Sequence, residues 1–269
     1  MISRKILYTL MSCICWISMS VQGQANSQIG KDGILFQYGL LNGFMGGLYD
    51  GVLSIDQLKK HGNFGLGAPD RLDGELVMEK GRIYQTQFTG KTFVPQNSTK
   101  SCLAMLCFFN ADTAVRSHRS HDVKEAYMFI DSFLKNKNGM YAVRIKGQFE
   151  YVKTRAFPPV TSQPYPDITS LMDLQRFFEL YKVKGVFVGF KLPSFLDEVS
   201  IPGYHFHFLS EDKINGGHVT DFTWKDVEIE IQELHQLQLL LPQTYDFRNF
   251  NFQKNRSADL KKLERGGEK

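Results

Sequence analysis

The chain has 269 residues, 42% of them hydrophobic and 22% charged, enough to bury a sizeable core in one large domain or two intimate ones. Its formal net charge of +4 is too mild to indicate a nucleic-acid partner. No basic run is interleaved with aromatics in the way single-strand recognition requires.

The first 25 residues differ from the rest. Two cations in MISRK precede the uncharged, largely apolar run ILYTLMSCICWISMSV, and VQGQA then offers Gly23 or Ala25 as the last residue removed. This is the layout of a secretory signal peptide over residues 1–25 and predicts an exported protein, periplasmic or secreted. The apolar run falls short of the roughly 20 residues a membrane span needs, so no span is expected after cleavage. Cleavage removes Cys13 and Cys15 and leaves Cys102 and Cys107 in SCLAMLCFF. Five positions apart in one extended strand, these two face opposite ways, which predicts buried free thiols rather than a bridge.

Further along, ILFQYGLLNGFMGGLYDG is apolar but broken by five glycines and mixes strand with turn. SIDQLKKHG predicts a short helix, with Ser54 as N-cap, Gln57 at the capping-box position and Gly62 past the end. ELVMEKGRIYQTQF predicts a hairpin turning at Glu79 to Arg82, and AMLCFFN a buried strand. Residues 122–135, DVKEAYMFIDSFLK, space their apolar positions as a helix behind Asp122 as cap. MYAVRIKGQFEYVKTRAF predicts a second hairpin, turning near Lys146 and Gly147. A Pro-rich loop runs from Pro158 to Pro166, after which Asp167 is expected to cap a helix reaching about Tyr181. Strands are expected at 184–191, 204–210, 217–224 and 226–234.

Runs of hairpins with three short helices predict an α+β class: two packed mixed or antiparallel β-sheets with a few short helices. The Pro-rich loop sets the expected division, an N-terminal sheet subdomain over 26–157 and a C-terminal sheet subdomain with a tail over 158–269.

The densest chemistry lies in IPGYHFHFLSEDKINGGHVTDF, residues 201–222, which holds three of the seven histidines. In a strand, His205 and His207 project to one face while Phe206 and Phe208 turn to the other. SEDKINGG is turn chemistry, so an antiparallel return brings His218 opposite His205 or His207. Three neutral imidazoles with an open position can hold a catalytic zinc, and the competing reading is polar decoration on a hairpin. His61, His118, His121 and His235 have no such partners in the sequence and are read as ordinary. Glu75 follows a Gly-rich turn, and Arg155 ends a strand before the Pro-rich loop; either could serve a metal site, but alone each reads first as surface charge.

HGNFGLGAPDRLDGEL, YAVRIKGQFEYVKTR and the histidine segment, in that order, resemble the α-acetolactate decarboxylase family, and the similarity runs from about Ile34 to Glu264. The resemblance implies Zn2+ on His205, His207 and His218 of the C-terminal subdomain, with Glu75, Arg155 and a C-terminal glutamate, Glu264 in DLKKLERG, as catalytic residues. It further implies a homodimer whose small-molecule substrate is 2-acetolactate, converted to (R)-acetoin and CO2 through a metal-stabilised enediolate. One departure is visible. The family pattern F-G-L-G-T has Ala68 at its last position here, so a hydroxyl near the site is missing. Two other readings compete. A cupin-like metal-binding protein or oxygenase would use the H-x-H with Glu211, and a non-catalytic secreted binding protein would retain only the scaffold.

Overall fold

The computed structural model describes residues 32–256 together with Asp259, Leu260 and Leu263. The expected signal peptide over residues 1–25 and Glu264 lie outside the described residues. Among the described residues no helix is long and apolar enough to cross a membrane.

The chain opens with β1 (Ile34–Tyr38), α1 (Leu41–Met45), β2 (Leu53–Ser54) and α2 (Ile55–Leu58). β3 (Phe64–Pro69), β4 (Glu75–Glu79), β5 (Arg82–Thr86), β6 (Thr92–Phe93) and β7 (Lys100–Cys107) come after them. Next come β8 (Thr113–Ser117), β9 (His121–Asp122), α3 (Val123–Asp131) and two long strands, β10 (Met140–Ala156) and β11 (Arg176–Leu192). β12 (Gly203–Ser210), β13 (Gly216–Leu234), β14 (Gln236–Leu240) and α4 (Tyr245–Asn249) complete the elements.

Two sheets result, as expected. The first runs β14-β1-β7-β3-β4-β5-β6 with β2 beside β7, and only the β1–β14 pair is parallel. The second runs β10-β11-β12-β13-β8, and a further β10–β13 pairing closes it on itself. One core fills the inside of that closed sheet, with Ile145, Phe149, Phe187, Phe206, Phe208, Phe222 and Trp224 buried together. Another lies where the two sheets meet, joining Leu35, Phe64, Leu66 and Met105 to Val186, Val188, Phe190 and Leu209. Burying one such Phe or Leu side chain stabilises by about 1.5–3 kcal/mol.

Local signals formed as read. Ser54 accepts from the Gln57 amide and Gln57 returns the bond, a full capping box, and Asp122 and Glu125 make a second at α3. α3 is shorter than expected and stops at Asp131. Glu79 and Arg82 pair at the tip of the β4–β5 hairpin. Cys102 and Cys107 are buried free thiols.

Several expectations are overturned. No hairpin turns at Lys146 and Gly147; β10 is one strand of 17 residues. Gly147 marks a close approach instead. A Cβ there would lie 2.2 Å from the Asp226 carbonyl oxygen on β13, just where the ladder shifts register. No helix reaches Tyr181. Ile168–Leu174 is a 3-10 helix without a side-chain cap from Asp167, and Arg176–Leu192 is a strand. Its aromatic and β-branched residues pair with β10 along its length, and pairing outweighs the weak helical spacing. The expected break between strands at 224 and 226 is a bulge in β13, where Lys225 is skipped between Trp224↔Phe149 and Asp226↔Gln148. The sheets also do not divide at the Pro-rich loop, because β8, β9 and β10 precede it and belong to the second sheet.

Gly147→Ala is expected to destabilise the protein by roughly 1–3 kcal/mol, as overpacking against β13. Urea unfolding followed by tryptophan fluorescence checks this, since Trp224 lies on the strand that must shift.

Candidate active site between the sheets

The site begins with strand register. His207 pairs with His218 across β12 and β13, and on the other side of β13 His218 pairs with Arg155 of β10. His205 sits two residues before His207 and so shares its face. Phe206 and Phe208 turn into the core inside the closed sheet, as the alternation predicts. Two glycines permit the seam. A Cβ on Gly217, at φ +123°, would sit 2.9 Å from the Arg155 carbonyl oxygen, and one on Gly216 would lie 2.4 Å from the Thr86 hydroxyl of the facing sheet.

The first sheet supplies the carboxylate. Gly74 adopts φ +90°, with its would-be Cβ 2.0 Å from the Thr86 carbonyl oxygen, a place only glycine fits. The chain then enters β4 with Glu75 buried and facing the histidines. Arg155 Nη1 donates to Glu75 Oε1 at 2.9 Å, and Glu75 Oε2 lies 3.4 Å from His207 Nε2. Phe157 lies under the Arg155 guanidinium at 4.9 Å.

The three imidazoles are fully enclosed, each no more than 5% exposed. Burial lowers all three pKa values, that of His207 to about 3 against the opposing bond to the Leu76 carbonyl; Arg155 adds to the effect on each, and neighbouring rings add to it for His205 and His218. They are therefore neutral near pH 7, the state that ligates metal. His207 Nδ1 lies 2.7 Å from the Leu76 carbonyl oxygen, which can only accept. The proton is thus on Nδ1, and Nε2 keeps its lone pair. That lone pair faces a carboxylate oxygen, an arrangement a cation relieves. Nε2 of His205 and Nδ1 of His218 lie 3.1 Å apart, while His205 Nδ1 is buried without a hydrogen-bond partner. One nitrogen from each ring falls within 4.8 Å of the others, and among the described residues this is the group able to hold a metal ion. The donor set suits zinc, which takes three imidazoles and keeps a position open.

A cavity joins these groups, lined by the three histidines, Glu75 and Arg155 and walled by Leu41, Leu66, Leu103, Met105, Ile201 and Leu263. Such a space holds a small molecule with its polar groups gathered at one end. The structure thus brings together five of the six site residues anticipated from sequence; Glu264 lies outside the described residues, though its neighbour Leu263 lines the cavity. Ala68 is on the cavity wall, and its carbonyl accepts from the Ser101 hydroxyl at 2.8 Å. Glu211 is exposed at the turn and stands apart from the histidine group, against the cupin-like reading. The other histidines are ordinary: His61 stacks on Phe36, and His118 pairs with Asp226. Sequence reasoning missed the Leu76 carbonyl and Phe157. The first is backbone with no side-chain signal, and the second is an ordinary Phe whose role comes only from sitting two residues past Arg155.

Comparison with known proteins agrees with this geometry. The family model described as alpha-acetolactate decarboxylase matches residues 35–254. An alpha-acetolactate decarboxylase of Methanosarcina mazei is 34% identical over 86% of this chain and 80% of its own, and one of Brevibacillus brevis is 35% identical over 80% and 75%. The crystal structure of alpha-acetolactate decarboxylase from Bacillus subtilis superposes with a TM-score of 0.83 at 30% identity, covering 87% of this chain and all of that one. With sequence, fold and the enclosed histidine group in accord, the chain belongs to the alpha-acetolactate decarboxylase family.

Proposed function

We propose that this protein decarboxylates 2-acetolactate to acetoin and CO2, with zinc held by His205, His207 and His218. The observation that carries the reading is the meeting of three neutral, buried imidazoles with the Glu75–Arg155 pair in one apolar-walled cavity. Loss of CO2 leaves an electron pair that moves onto the ketone oxygen and gives an enediolate. A zinc ion supplies Lewis acidity for that growing negative charge.

The chain's own groups do the rest. Arg155 offers a planar fork to the substrate carboxylate or to the enediolate oxygen. Glu75 holds one of its nitrogens and Phe157 supports its face, so the fork is oriented before substrate arrives. A single well-placed donor of this kind is worth roughly 2.7–4 kcal/mol in the transition state. Aliphatic walls exclude water and strengthen each electrostatic contact inside. A site glutamate, protonated from solvent, then gives its proton to carbon, and acetoin of R hand is expected. Glu75 and Glu264 are the two groups assigned to that step. We also propose that residues 1–25 are removed on export and that the mature chain is a homodimer. N-terminal sequencing of the exported protein and light scattering test these two points.

His205→Ala is expected to empty the site of zinc, read by elemental analysis, and to reduce acetoin formation to the spontaneous rate. Full activity in the wild-type protein after exhaustive chelation would sink the zinc assignment. Glu75→Gln and Glu264→Gln separate the two proton donors by chiral analysis of acetoin: the donor's variant gives racemic product or none, and the other keeps the hand.

Arg155→Met leaves Glu75 as a buried carboxylate without its guanidinium, and is expected to destabilise the metal-free protein by about 3–5 kcal/mol. Adding Glu75→Gln should recover part of that loss in urea unfolding. No recovery would show that the two do not act as a pair.

A further inference from the structure

Arg256 is buried, 7% exposed, and its setting is built for a guanidinium. Nη1 donates to Asn42 Oδ1 at 2.7 Å and to the Lys254 carbonyl oxygen at 3.3 Å. Nη2 lies 3.6 Å from Asp167 Oδ1, and the group sits over the Phe250 ring at 5.2 Å. Gly46 makes the space, since a Cβ there would lie 2.7 Å from Nη2 and 2.3 Å from Phe250. Asn42 is itself buried, and its amide also donates to the Lys254 carbonyl oxygen at 3.0 Å. Lys254 in turn pairs with Asp167. Three segments far apart in sequence, α1, the end of the Pro-rich loop and the chain after α4, are thus tied at one guanidinium.

Burying a cation is costly, and Asp167 is only a partial counter-charge. A leucine or methionine could fill the same space. What a fork adds is direction, because its donors are rigid and each partner fixes an angle. That direction is passed to the next stretch of chain. The Arg256 carbonyl accepts from the amides of Asp259 and Leu260, both at 3.0 Å, so Arg256 begins the next helical turn. Leu260 and Leu263, three apart on one face, are buried against Leu41, Phe157 and Ile201, and Leu263 lines the cavity that holds the histidines.

We infer that Arg256 is a positioning residue for the active site: through Asn42, Asp167 and Phe250 it aims the C-terminal segment so that Leu263 completes the cavity wall beside Glu75 and Arg155. It touches no substrate and acts through Leu260 and Leu263. This rests on the decarboxylase reading for the kinetic consequence alone, since the anchoring itself is independent of what the cavity turns over.

The test uses the full-length, zinc-loaded protein. Arg256→Met, Arg256→Lys and Leu263→Ala are compared with wild type for kcat and KM on 2-acetolactate, zinc content, unfolding midpoint and tryptic cleavage after Lys261 and Lys262. Arg256→Met should lower kcat/KM by about tenfold to a hundredfold, with faster cleavage at those two sites and unchanged zinc. Arg256→Lys keeps the charge without the fork, so it should not restore wild-type values. Leu263→Ala should reproduce part of the kinetic loss in a protein that stays folded at the assay temperature, with its unfolding midpoint lowered by the cavity the truncation leaves. Wild-type kcat/KM and cleavage in Arg256→Met overturn the inference. If that variant unfolds as a whole, Leu263→Ala decides: wild-type kcat/KM there overturns it, and a loss with an intact fold supports it. Absence of acetoin from the wild-type protein would sink the decarboxylase reading, and the cleavage rates would still decide the anchor.

Discussion

The site depends on the register of one residue. His218 is where β13 changes partners, paired with His207 of β12 on one edge and with Arg155 of β10 on the other. Only three residue pairs join β12 to β13, so the closure of the second sheet and the assembly of the histidine group are the same event. A slip of one residue would turn the imidazoles into the aromatic core and bring phenylalanines to the cavity. The turn between the strands resists that slip. At its base the Ser210 amide donates to the Asn215 carbonyl oxygen, the Asn215 amide donates back to the Ser210 hydroxyl, and that hydroxyl donates to Asp212 and the Asn215 carbonyl oxygen. Phe206 and Phe208, buried on the far face, resist it from the other side.

The second sheet alone would be incomplete. Glu75 and the Leu76 carbonyl both come from β4 of the first sheet, one facing His207 Nε2 and the other fixing its Nδ1 proton. One turn therefore aims a carboxylate and chooses a tautomer. That turn needs Gly74, and just before it Arg71 and Leu72 both hold positive φ, at 55° and 58°. Two adjacent non-glycine residues in the left-handed region carry strain, and such strain persists only where the surroundings over-determine it. Here the Arg71 amide donates to the Tyr49 carbonyl and its own carbonyl accepts from Val160, so neighbours on both sides hold the turn.

Legibility followed the range of the interaction. The Ser54–Gln57 capping box and the Asp122 cap were readable because donor and acceptor lie three residues apart. The histidine face was readable too, because period two and a short turn suffice to place three rings. The long strand through Gly147 was not. Lys146 and Gly147 look like turn chemistry locally, and only the approach of Asp226, some eighty positions on, explains the glycine. The stretch from Arg176 to Tyr181 failed for the same reason, since its partner strand and not its own spacing makes it extended. Glu75 and Arg155 are 80 residues apart and on different sheets, so no local pattern links them. That both belong to one site was anticipated from motif resemblance alone, and their direct contact at 2.9 Å was not anticipated at all.

The charge balance of the cavity rests on that contact. Three neutral imidazoles, one carboxylate and one guanidinium sum to zero, which is why so many polar groups can share a buried space. A neutral set has little reason to prefer an anion. A divalent ion added to it leaves a positive excess enclosed by aliphatic walls, where charge is poorly screened. An anionic substrate with a second negative charge growing on its oxygens suits that excess better in the transition state than in the ground state, and only this difference accelerates a reaction. The Glu75–Arg155 pair thus serves two ends on the proposed reading. It keeps the empty site neutral enough to fold, and it leaves the guanidinium oriented for a carboxylate when the metal arrives.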